Sequence, residues 1–209
     1  VVVSNKACRN FGRLYLWLTT KQPPYSGGCI LFMDIEIVDL TEKNFNLHSF
    51  DEFEFRQDVT SCWRYGKQGY NLTPVSYTDD ENSQRKKQHA KRILESIKSD
   101  CVAFGAVHNG MLVGFAVLDK KIFGKSVHYM NLSELYVSRP FRGKGTGKLL
   151  FDYACKQARD SGAEKLYVSA HSAKESAHAY FSYGCVFAEE VNEELSQKEP
   201  FDLQLEFVL

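Results

Sequence analysis

Arg142-Gly143-Lys144-Gly145-Thr146-Gly147 lies between a strand-like run and an amphipathic helix, and this placement sets the fold prediction for the whole chain. The run before it, residues 130–137 (MNLSELYV), is rich in strand formers. Apolar residues recur at helical spacing over residues 149–158, and Gly162 is placed to end that helix. At such a turn the unpaired N–H groups of the helix attract phosphate oxygens, and Arg142 adds a planar cationic group. The segment therefore predicts a pyrophosphate cradle.

Two common phosphate loops do not fit this segment. A Walker A loop ahead of Gly147-Lys148 would need Gly at Arg142 and Ser or Thr at Leu149. A dinucleotide fingerprint that starts at Gly143 would need Gly or Ala at Lys148, and no repeated βαβ pattern precedes it. Both loops are excluded, and a helix N-terminus that is rich in glycine for structural reasons alone stays open.

The spacing that does fit is Arg-x-x-Gly-x-Gly, and here the segment closely resembles the acetyl-CoA pyrophosphate motif of the GNAT N-acetyltransferases. The resemblance implies that the cofactor is bound by Arg142, Gly143, Lys144, Gly145, Thr146, Gly147 and Lys148. It also implies that the preceding strand holds the pantetheine arm through its backbone and binds the thioester oxygen beside a bulge, at Leu135, Tyr136 and Val137.

A second motif covers residues 172–186, where Tyr180 stands four residues before Gly184 near the end of a short predicted helix. It resembles the second GNAT motif, Tyr-x-x-x-Gly-Phe, with Cys185 in place of the Phe. Two motifs in the right order are much more specific than either one alone.

The start of that short helix carries further predictions. Ser172-x-x-Glu175 has the spacing of a capping box, and Gly184 is placed to end the helix. The Asn that the family often has near this helix start is absent. The resemblance therefore leaves Ser172 and Ser176 as its substitutes near the cofactor.

The remaining elements predict the layers of the fold. Asn109-Gly110 predicts a hairpin turn between residues 101–107 and 111–117, and residues 128–137 and 164–170 supply further strands. One helix face is predicted at Ala90, Ile93, Leu94 and Ile97. Another helix is predicted after Thr41, with Phe45, Leu47 and Phe50. Residues 62–79 are predicted to form a long aromatic loop. We therefore expect a mixed α/β (α+β) fold, a three-layer sandwich with a central mixed, largely antiparallel sheet. The GNAT resemblance implies the same fold, and it covers residues 100–188 well and residues 33–99 only by topology.

The first 32 residues differ from the rest in charge, since they contain four basic side chains and no acid: Lys6, Arg9, Arg13 and Lys21. Met33 is the first methionine, and a strand-like run with period-two alternation begins there. We expect residues 33–209 to form the GNAT N-acetyltransferase domain and residues 1–32 to be an N-terminal extension, either not native to the protein or poorly ordered. An added arm that packs on the domain is the alternative.

Composition limits the classes of partner and cofactor. The 26 basic and 26 acidic side chains cancel, so no overall field favours nucleic acid or an anionic membrane. No apolar run approaches the length of a membrane span. The six cysteines and six histidines lack metal-ligand spacing, so we expect no metal, and free thiols in a reducing cytoplasm.

Acetyl transfer from a thioester to an amine needs a neutral amine. An alkylammonium has a pKa of about 10.4, so a carboxylate would help to remove its proton, directly or through water. Glu134 is the candidate base, because it precedes Leu135 on the strand that the resemblance assigns to the cofactor. The family often has its acid three positions earlier, at Asn131, and a solvent-facing or salt-bridged Glu134 is the alternative.

Tyr180 is the candidate acid for the leaving thiolate. A tyrosine with the ordinary pKa of about 10 stays protonated until the thiolate develops. A packed core tyrosine is the alternative. Direct attack needs no covalent acyl-enzyme, and Cys155 and Cys185 lack a clear base.

The sequence thus predicts an acetyl-CoA-dependent N-acetyltransferase that acts on a small-molecule or peptide amine, as a monomer or homodimer, in the cytoplasm. Residues 45–81 mix aromatic and acidic side chains that would suit a cationic amine, although ordinary amphipathic packing explains them equally well. Residues 199–207 resemble the tail of bacterial GNAT proteins of the streptothricin-acetyltransferase kind, which says little about the substrate. An acyl-CoA-binding sensor without catalysis is the alternative function.

Overall fold

The computed structural model describes residues 34–67 and 69–209, so the predicted N-terminal extension, residues 1–32, lies outside the described residues. The strands are β1 (Glu36–Asp39), β2 (Gln57–Gly66), β3 (Gly69–Asp79), β4 (Cys101–His108), β5 (Met111–Phe123), β6 (Tyr129–Val137), β7 (Lys165–Ala170), β8 (Val186–Phe187) and β9 (Leu203–Val208). The helices are α1 (Ser83–Lys98), α2 (Thr146–Asp160), α3 (Lys174–Tyr183) and α4 (Glu193–Lys198), with a short 3₁₀ turn at Arg139–Phe141.

Most of these strands form one sheet in the order β1-β4-β5-β6-β7-β9-β8, and β2 pairs with β3 in a separate hairpin. Neighbouring strands of the large sheet run antiparallel except β6 and β7, which run parallel. Asn109 and Gly110 join β4 to β5 with φ angles of 50° and 79°, as the predicted two-residue turn requires. The prediction of a mixed, largely antiparallel sheet is confirmed.

Helices and loops cover the sheet on both faces. On one face Leu150, Phe151 and Ala154 of α2 are fully buried against strand residues. On the other face α1 packs with a group of buried phenylalanines, which are Phe45, Phe50, Phe53, Phe55 and Phe115. The successive residues Phe115 and Ala116 belong to the two different clusters, as the alternation of a strand requires. The predicted three-layer sandwich is confirmed.

The helix predicted after Thr41 is wrong, because residues 42–52 form turns. The Asn44 side chain accepts a hydrogen bond from Thr41 N–H (2.7 Å) and donates one to Asp39 O (2.8 Å). Asn46 accepts one from His48 N–H (2.8 Å) in the same way. Such local side-chain bonds offer the backbone an alternative to helical pairing.

The long aromatic loop predicted at residues 62–79 is also wrong, since these residues form most of the β2–β3 hairpin. Aromatic and β-branched residues favour strands, whereas a proline cannot donate to a ladder. The hairpin accommodates Pro74 opposite Ser61, where the register shifts after Val59. A β-bulge of this kind tolerates a residue that cannot donate to the ladder.

Candidate active site

The central sheet opens between β6 and β7. Parallel pairing joins Tyr129–Asn131 to Lys165–Tyr167, and no other described residues of the two strands pair with each other. β6 stays paired with β5 as far as Val137. The carboxyl half of β6 therefore presents a backbone edge beside a cleft. The cleft lies at the carboxyl ends of two parallel strands, where ligands of α/β proteins commonly bind.

The open edge of β6 carries backbone groups that a ligand can reach. Ser138 N–H donates to Val113 O on β5 (2.9 Å), so the carbonyl of Val137, on the opposite side of that trans peptide, points to the open edge. Since peptide groups alternate along a strand, the N–H and C=O of Leu135 face this edge too. Of the predicted cofactor residues, Leu135 and Val137 lie with their backbones at the cleft, and Tyr136 presents a side chain that is 39% exposed.

A β-bulge interrupts β6 at Ser133. Glu134 pairs with Val117 and Leu132 with Leu118, so Ser133 is the extra residue. The Ser133 hydroxyl donates to the Val117 carbonyl (3.2 Å). The expected bulge therefore lies directly before Glu134.

The glycine segment forms the turn into α2. Gly143 and Gly145 have φ angles of 70° and 88°, in the left-handed region that favours glycine. The first helical bond runs from Leu149 N–H to Gly145 O (3.0 Å), and no side chain caps the helix. Among the described residues, the backbone N–H groups of residues 143–148 donate no hydrogen bond. Such a row of N–H groups at a helix N-terminus suits phosphate oxygens.

The other residues of the predicted cradle contact the turn or the first turns of α2. The buried hydroxyl of Thr146 donates to Phe141 O (3.3 Å). Lys148 forms an ion pair with Asp152, and the Lys144 ammonium lies 5.6 Å from the centre of the Phe141 ring.

Gly147 lies in close contact with Tyr183 of α3 and Val137 of β6. A Cβ at this position would lie 2.6 Å from the hydroxyl oxygen of Tyr183 and 3.6 Å from Val137. Because Gly147 has no side chain, the start of α2 can lie close to both Tyr183 of α3 and Val137 at the end of β6.

Arg142 differs from the predicted phosphate-binding fork. Its Nε donates to Val137 O (2.8 Å), Nη1 to Arg56 O (2.9 Å) and Nη2 to Phe55 O (2.8 Å). Three of its five N–H donors therefore bind backbone carbonyls, one of them at the open edge of β6. The guanidinium anchors the turn to β6 and to the chain before β2, and a phosphate contact of Arg142 stays a prediction.

Glu134, the candidate base, lies on the α1 face of the sheet and is tied to a buried histidine. Its Oε2 lies 2.5 Å from Nε2 of His89, and its Oε1 lies 3.9 Å from Nη2 of Arg92. Nδ1 of His89 lies 2.9 Å from Oε1 of Glu81. Burial alone would lower the pKa of His89, but the hydrogen bonds and charges of Glu134 and Glu81 outweigh it and raise the pKa to about 9.

Tyr180, the candidate acid, lies in α3 on the opposite face of the sheet. Its ring centre lies 6.3 Å from that of Phe151 and 6.2 Å from that of Tyr183. Burial raises the pKa of the Tyr180 hydroxyl above its ordinary range, and Cys185 and Tyr136 contribute to the rise. Tyr180 therefore stays protonated near neutral pH, as a hydrogen-bond donor to a thiolate must.

The predicted capping box at Ser172 and Glu175 is wrong. The N-cap of α3 is Ala173, without a side-chain hydrogen bond. Ser172 is buried, and its hydroxyl oxygen instead accepts from Nη1 of Arg64 (2.6 Å). Ser176 lies half-buried in the first turn of α3. Cofactor contacts of both serines stay predictions.

A family model described as "Acetyltransferase (GNAT) family" matches residues 56–185, which is more than half of the chain. The chain belongs to the GNAT acetyltransferase family. No curated protein matches the sequence of this GNAT protein.

Solved structures share the fold at low sequence identity. Nourseothricin acetyltransferase is 16% identical with a TM-score of 0.60, over 83% of this chain and 98% of that one. A candidate streptothricin acetyltransferase of Bacillus anthracis, in complex with acetyl coenzyme A, is 16% identical with a TM-score of 0.63, over 85% and 99%. PaiA N-acetyltransferase of Thermoplasma acidophilum, in complex with coenzyme A, is 19% identical with a TM-score of 0.53, over 85% and 100%. The GNAT fold thus extends over nearly all of the described residues.

The sequence alone did not single out His89 and Glu81, which contact each other and, through His89, the candidate base Glu134. The signal for His89 was its position beside Ala90 and one turn before Ile93, on the apolar face of α1. A titratable side chain on such a face needs a partner, but the sequence does not show that Glu134 supplies it. Glu81 lies just before the helix, whose N-cap is Asn82.

Two negative findings apply to the part of the chain that the structure describes. No helix there is long and apolar enough to cross a membrane. No group of three or more histidine, cysteine or carboxylate side chains is arranged to hold a metal ion in that part. The cysteines there, Cys62, Cys101, Cys155 and Cys185, are free thiols.

Proposed function

We propose that this GNAT protein transfers the acetyl group of acetyl-CoA to a primary amine, by direct attack within a ternary complex. The observation that carries the proposal is the continuity of the cleft. The open backbone edge of β6 leads directly into the row of N–H groups at residues 143–148. An extended thiol arm that ends in a pyrophosphate has the chemistry to match both parts.

Acetyl-CoA fits this cleft in the described residues. The N–H and C=O of Leu135 and the N–H of Val137 suit the amide groups of the pantetheine arm, while the Val137 carbonyl accepts from Nε of Arg142. The N–H groups before α2 suit the pyrophosphate. The structures of the candidate streptothricin acetyltransferase and of PaiA, which share this fold, contain acetyl coenzyme A and coenzyme A.

Proton movements follow from the residues on either side of the cleft. The acceptor ammonium loses a proton to Glu134, directly or through water, and the neutral nitrogen attacks the thioester carbon. The C–S bond breaks as the C–N bond forms, and the nitrogen loses a second proton. One of the two protons is taken up by the thiolate and the other is released to water, so the products are an amide and a thiol.

Tyr180 acts on the leaving sulfur in this proposal. Its raised pKa makes it a reluctant proton donor, so its main contribution is a hydrogen bond to the developing thiolate. The protonated hydroxyl of Tyr180 thus stabilises the negative charge that develops on the sulfur.

The acceptor enters from the α1 face, where Glu134 lies. Tyr136, which is 39% exposed, provides aromatic surface there, and its ring packs on the buried ring of Phe55 with centres 5.5 Å apart. Carboxylates and aromatic faces suit a cationic amine, carried by a small molecule or a peptide.

Two measurements on the full chain test the proposal. Calorimetry should show binding of acetyl-CoA, and a thiol-release assay should then show transfer to at least one amine among an alkyl diamine, lysine amide and a streptothricin. Binding without thiol release from any of them would favour the sensor function. No binding of acetyl-CoA would contradict both functions.

A further inference from the structure

His89 occupies an unusual place for a charged side chain. It projects from α1 and is only 2% exposed. Aromatic rings surround it, with centres 5.3 Å (Phe50), 5.3 Å (Phe55), 5.5 Å (Phe115) and 5.7 Å (Tyr136) away. Water therefore has little access to the imidazole, and its hydrogen bonds must come from the protein.

Both ring nitrogens of His89 face carboxylates. Nδ1 lies 2.9 Å from Oε1 of Glu81, and Nε2 lies 2.5 Å from Oε2 of Glu134. A neutral imidazole has a single N–H and would leave one nitrogen lone pair against an anionic oxygen, whereas an imidazolium donates to both. The geometry therefore fits the charged form, in agreement with the raised pKa of about 9.

The second carboxylate changes the net charge of the cluster. His89 and Glu134 alone would be neutral and would not attract a cationic acceptor. With Glu81 included, these three side chains carry one negative charge, as a lone carboxylate would. Glu81 therefore offsets the charge of His89, and Arg92, 3.9 Å from Oε1, is the remaining cation beside Glu134.

Resting on the proposed acetyl transfer, we propose that His89 is a positioning residue for Glu134. Its imidazolium fixes Oε2 of Glu134 and leaves Oε1 for the acceptor amine or an intervening water. Oε1 accepts no hydrogen bond from the described residues, and Arg92 is 3.9 Å away. Glu81 keeps His89 charged.

Other ionisable groups near the cluster come from each element packed on it. Arg92 comes from α1 and Tyr136 from β6, and Asp79 at the end of β3 is close enough to act on Tyr136. Burial, followed by Glu134, Glu81 and Asp79, raises the pKa of Tyr136 above its ordinary range. Tyr136 therefore stays neutral where His89 titrates, so His89 alone sets the alkaline limit of the cluster.

The test compares two variants with a matched control in the full chain. His89→Gln removes the imidazolium, and Glu81→Gln removes the charge that stabilises it while an amide oxygen remains. His48→Gln is the control, because His48 pairs with Asp51 at the same 2.9 Å but on the exposed surface. Thiol release from acetyl-CoA is followed against pH with an amine from the panel above, and ring-nitrogen NMR follows the protonation of His89.

The proposal predicts a distinct result for each variant. In His89→Gln, kcat falls on the order of tenfold to a hundredfold, as for a misplaced catalytic group, while the KM for acetyl-CoA changes little. In Glu81→Gln, the alkaline limit of kcat and the NMR titration of His89 both move to lower pH, because the imidazolium loses a neighbouring negative charge. His48→Gln behaves like the wild type.

Two outcomes would overturn the inference, and a third separates it from the function. A wild-type kcat and pH profile in His89→Gln would show that Glu134 does not need His89 to hold it in position. A lower kcat in Glu81→Gln with an unmoved alkaline limit would assign the cluster a structural role only. A wild type that binds acetyl-CoA but transfers acetyl to no amine would overturn the proposed function itself and the inference with it.

Discussion

At the scale of single residues, the two proposed acid-base groups have opposite environments. Glu134 faces a buried imidazolium, and its side chain is 22% exposed. Tyr180 is half-buried, and desolvation, followed by Cys185 and Tyr136, raises its pKa and keeps it neutral. Environments that separate the protonation states of two groups in one cleft are a common basis for acid-base roles.

Replacing Tyr180 with Phe should lower turnover while leaving the affinity for acetyl-CoA almost unchanged. A hydrogen bond to a charged group contributes roughly 1.5–3 kcal/mol, so kcat should fall about tenfold to a hundredfold. Steady-state kinetics and calorimetry measure the two quantities. Tyr153→Phe is the control, since it removes a surface hydroxyl that donates to Asp39 (3.1 Å). Wild-type turnover in Tyr180→Phe would end the assignment.

The buried imidazolium should make folding stability depend on alkaline pH. The pKa of His89 rises from 6.5 to about 9, so its stabilising contribution is complete below 6.5 and is lost as the pH rises through about 9. The full shift corresponds to roughly 3 kcal/mol. Urea unfolding across this window should show a loss in the wild type that His89→Gln lacks. An equal loss in both proteins would contradict the assignment of a charged His89.

The site could be predicted from the sequence only where a local motif encodes it. Residues 142–147 and Tyr180 with Gly184 are such motifs. The contact between His89 and Glu134 joins residues far apart in the chain, so it depends on how α1 packs on β6. Arg142 shows the same limit, because its partners Phe55 and Arg56 come from another part of the chain.

At the scale of elements, the glycine turn is held by its neighbours rather than by its own bonds. Arg142 connects it to β6 and to the chain before β2, and Gly147 lets α3 pack against it. This leaves the N–H groups of the turn available to a ligand. Preorganisation of this kind lowers the cost of ordering a loop on binding.

Replacing Gly147 with Ala should destabilise the contact between α2 and α3. The new Cβ would lie 2.6 Å from the Tyr183 hydroxyl, and overpacking of this kind costs about 1–3 kcal/mol. Tyr183→Phe removes that oxygen, so the double variant should regain most of the loss in the free energy of unfolding. A double-mutant cycle in urea measures this coupling. Additive effects of the two substitutions would contradict the proposed contact.

Replacing Arg142 with Lys tests whether the guanidinium anchors the turn through backbone carbonyls or only supplies a positive charge to the phosphate. Lys keeps the charge but cannot reach three carbonyls, so the free energy of unfolding should fall by roughly 2 kcal/mol and acetyl-CoA should bind more weakly. Arg139→Lys, which changes an exposed partner of Asp58, is the matched control. Unchanged stability and affinity in Arg142→Lys would contradict the anchoring role of the guanidinium.

Element prediction succeeded where periodicity and turn chemistry agreed. The β4–β5 hairpin and α2 have clear turn and capping residues, and both are observed. The segment after Thr41 has helical spacing, but Asn44 and Asn46 bind the local backbone instead. The segment predicted as a long aromatic loop forms most of β2 and β3, because its two halves pair with each other along their length.

At the scale of the whole molecule, the sheet separates the two proposed acid-base groups. Glu134 lies on the face covered by α1, and Tyr180 lies on the face covered by α2 and α3. The opening between β6 and β7 is where the two faces meet. In this arrangement the acceptor and the cofactor approach the reacting carbon from opposite sides.

Binding of acetyl-CoA in this opening should stabilise the fold. At a hundred times Kd, a ligand that binds only the folded state adds about 2.7 kcal/mol. For a chain of this size, that corresponds to a rise in Tm of roughly 5–10 °C. Differential scanning calorimetry measures the shift, with adenosine as a control that lacks both pyrophosphate and pantetheine. An equal shift with adenosine would contradict binding along β6.

The bulge at Ser133 fixes which chemistry each side of β6 presents. Met130 and Leu132 before it share the apolar α2 side with Leu135 and Val137 after it, so the extra residue reverses the odd-even parity of the strand. Without the bulge, strict alternation through Ser133 would turn Glu134 into the hydrocarbon packing beneath α2 and expose Leu135 to the amine. The one extra residue in β6 therefore decides which side chains face α1, although the side chain of Ser133 takes no part in the proposed reaction.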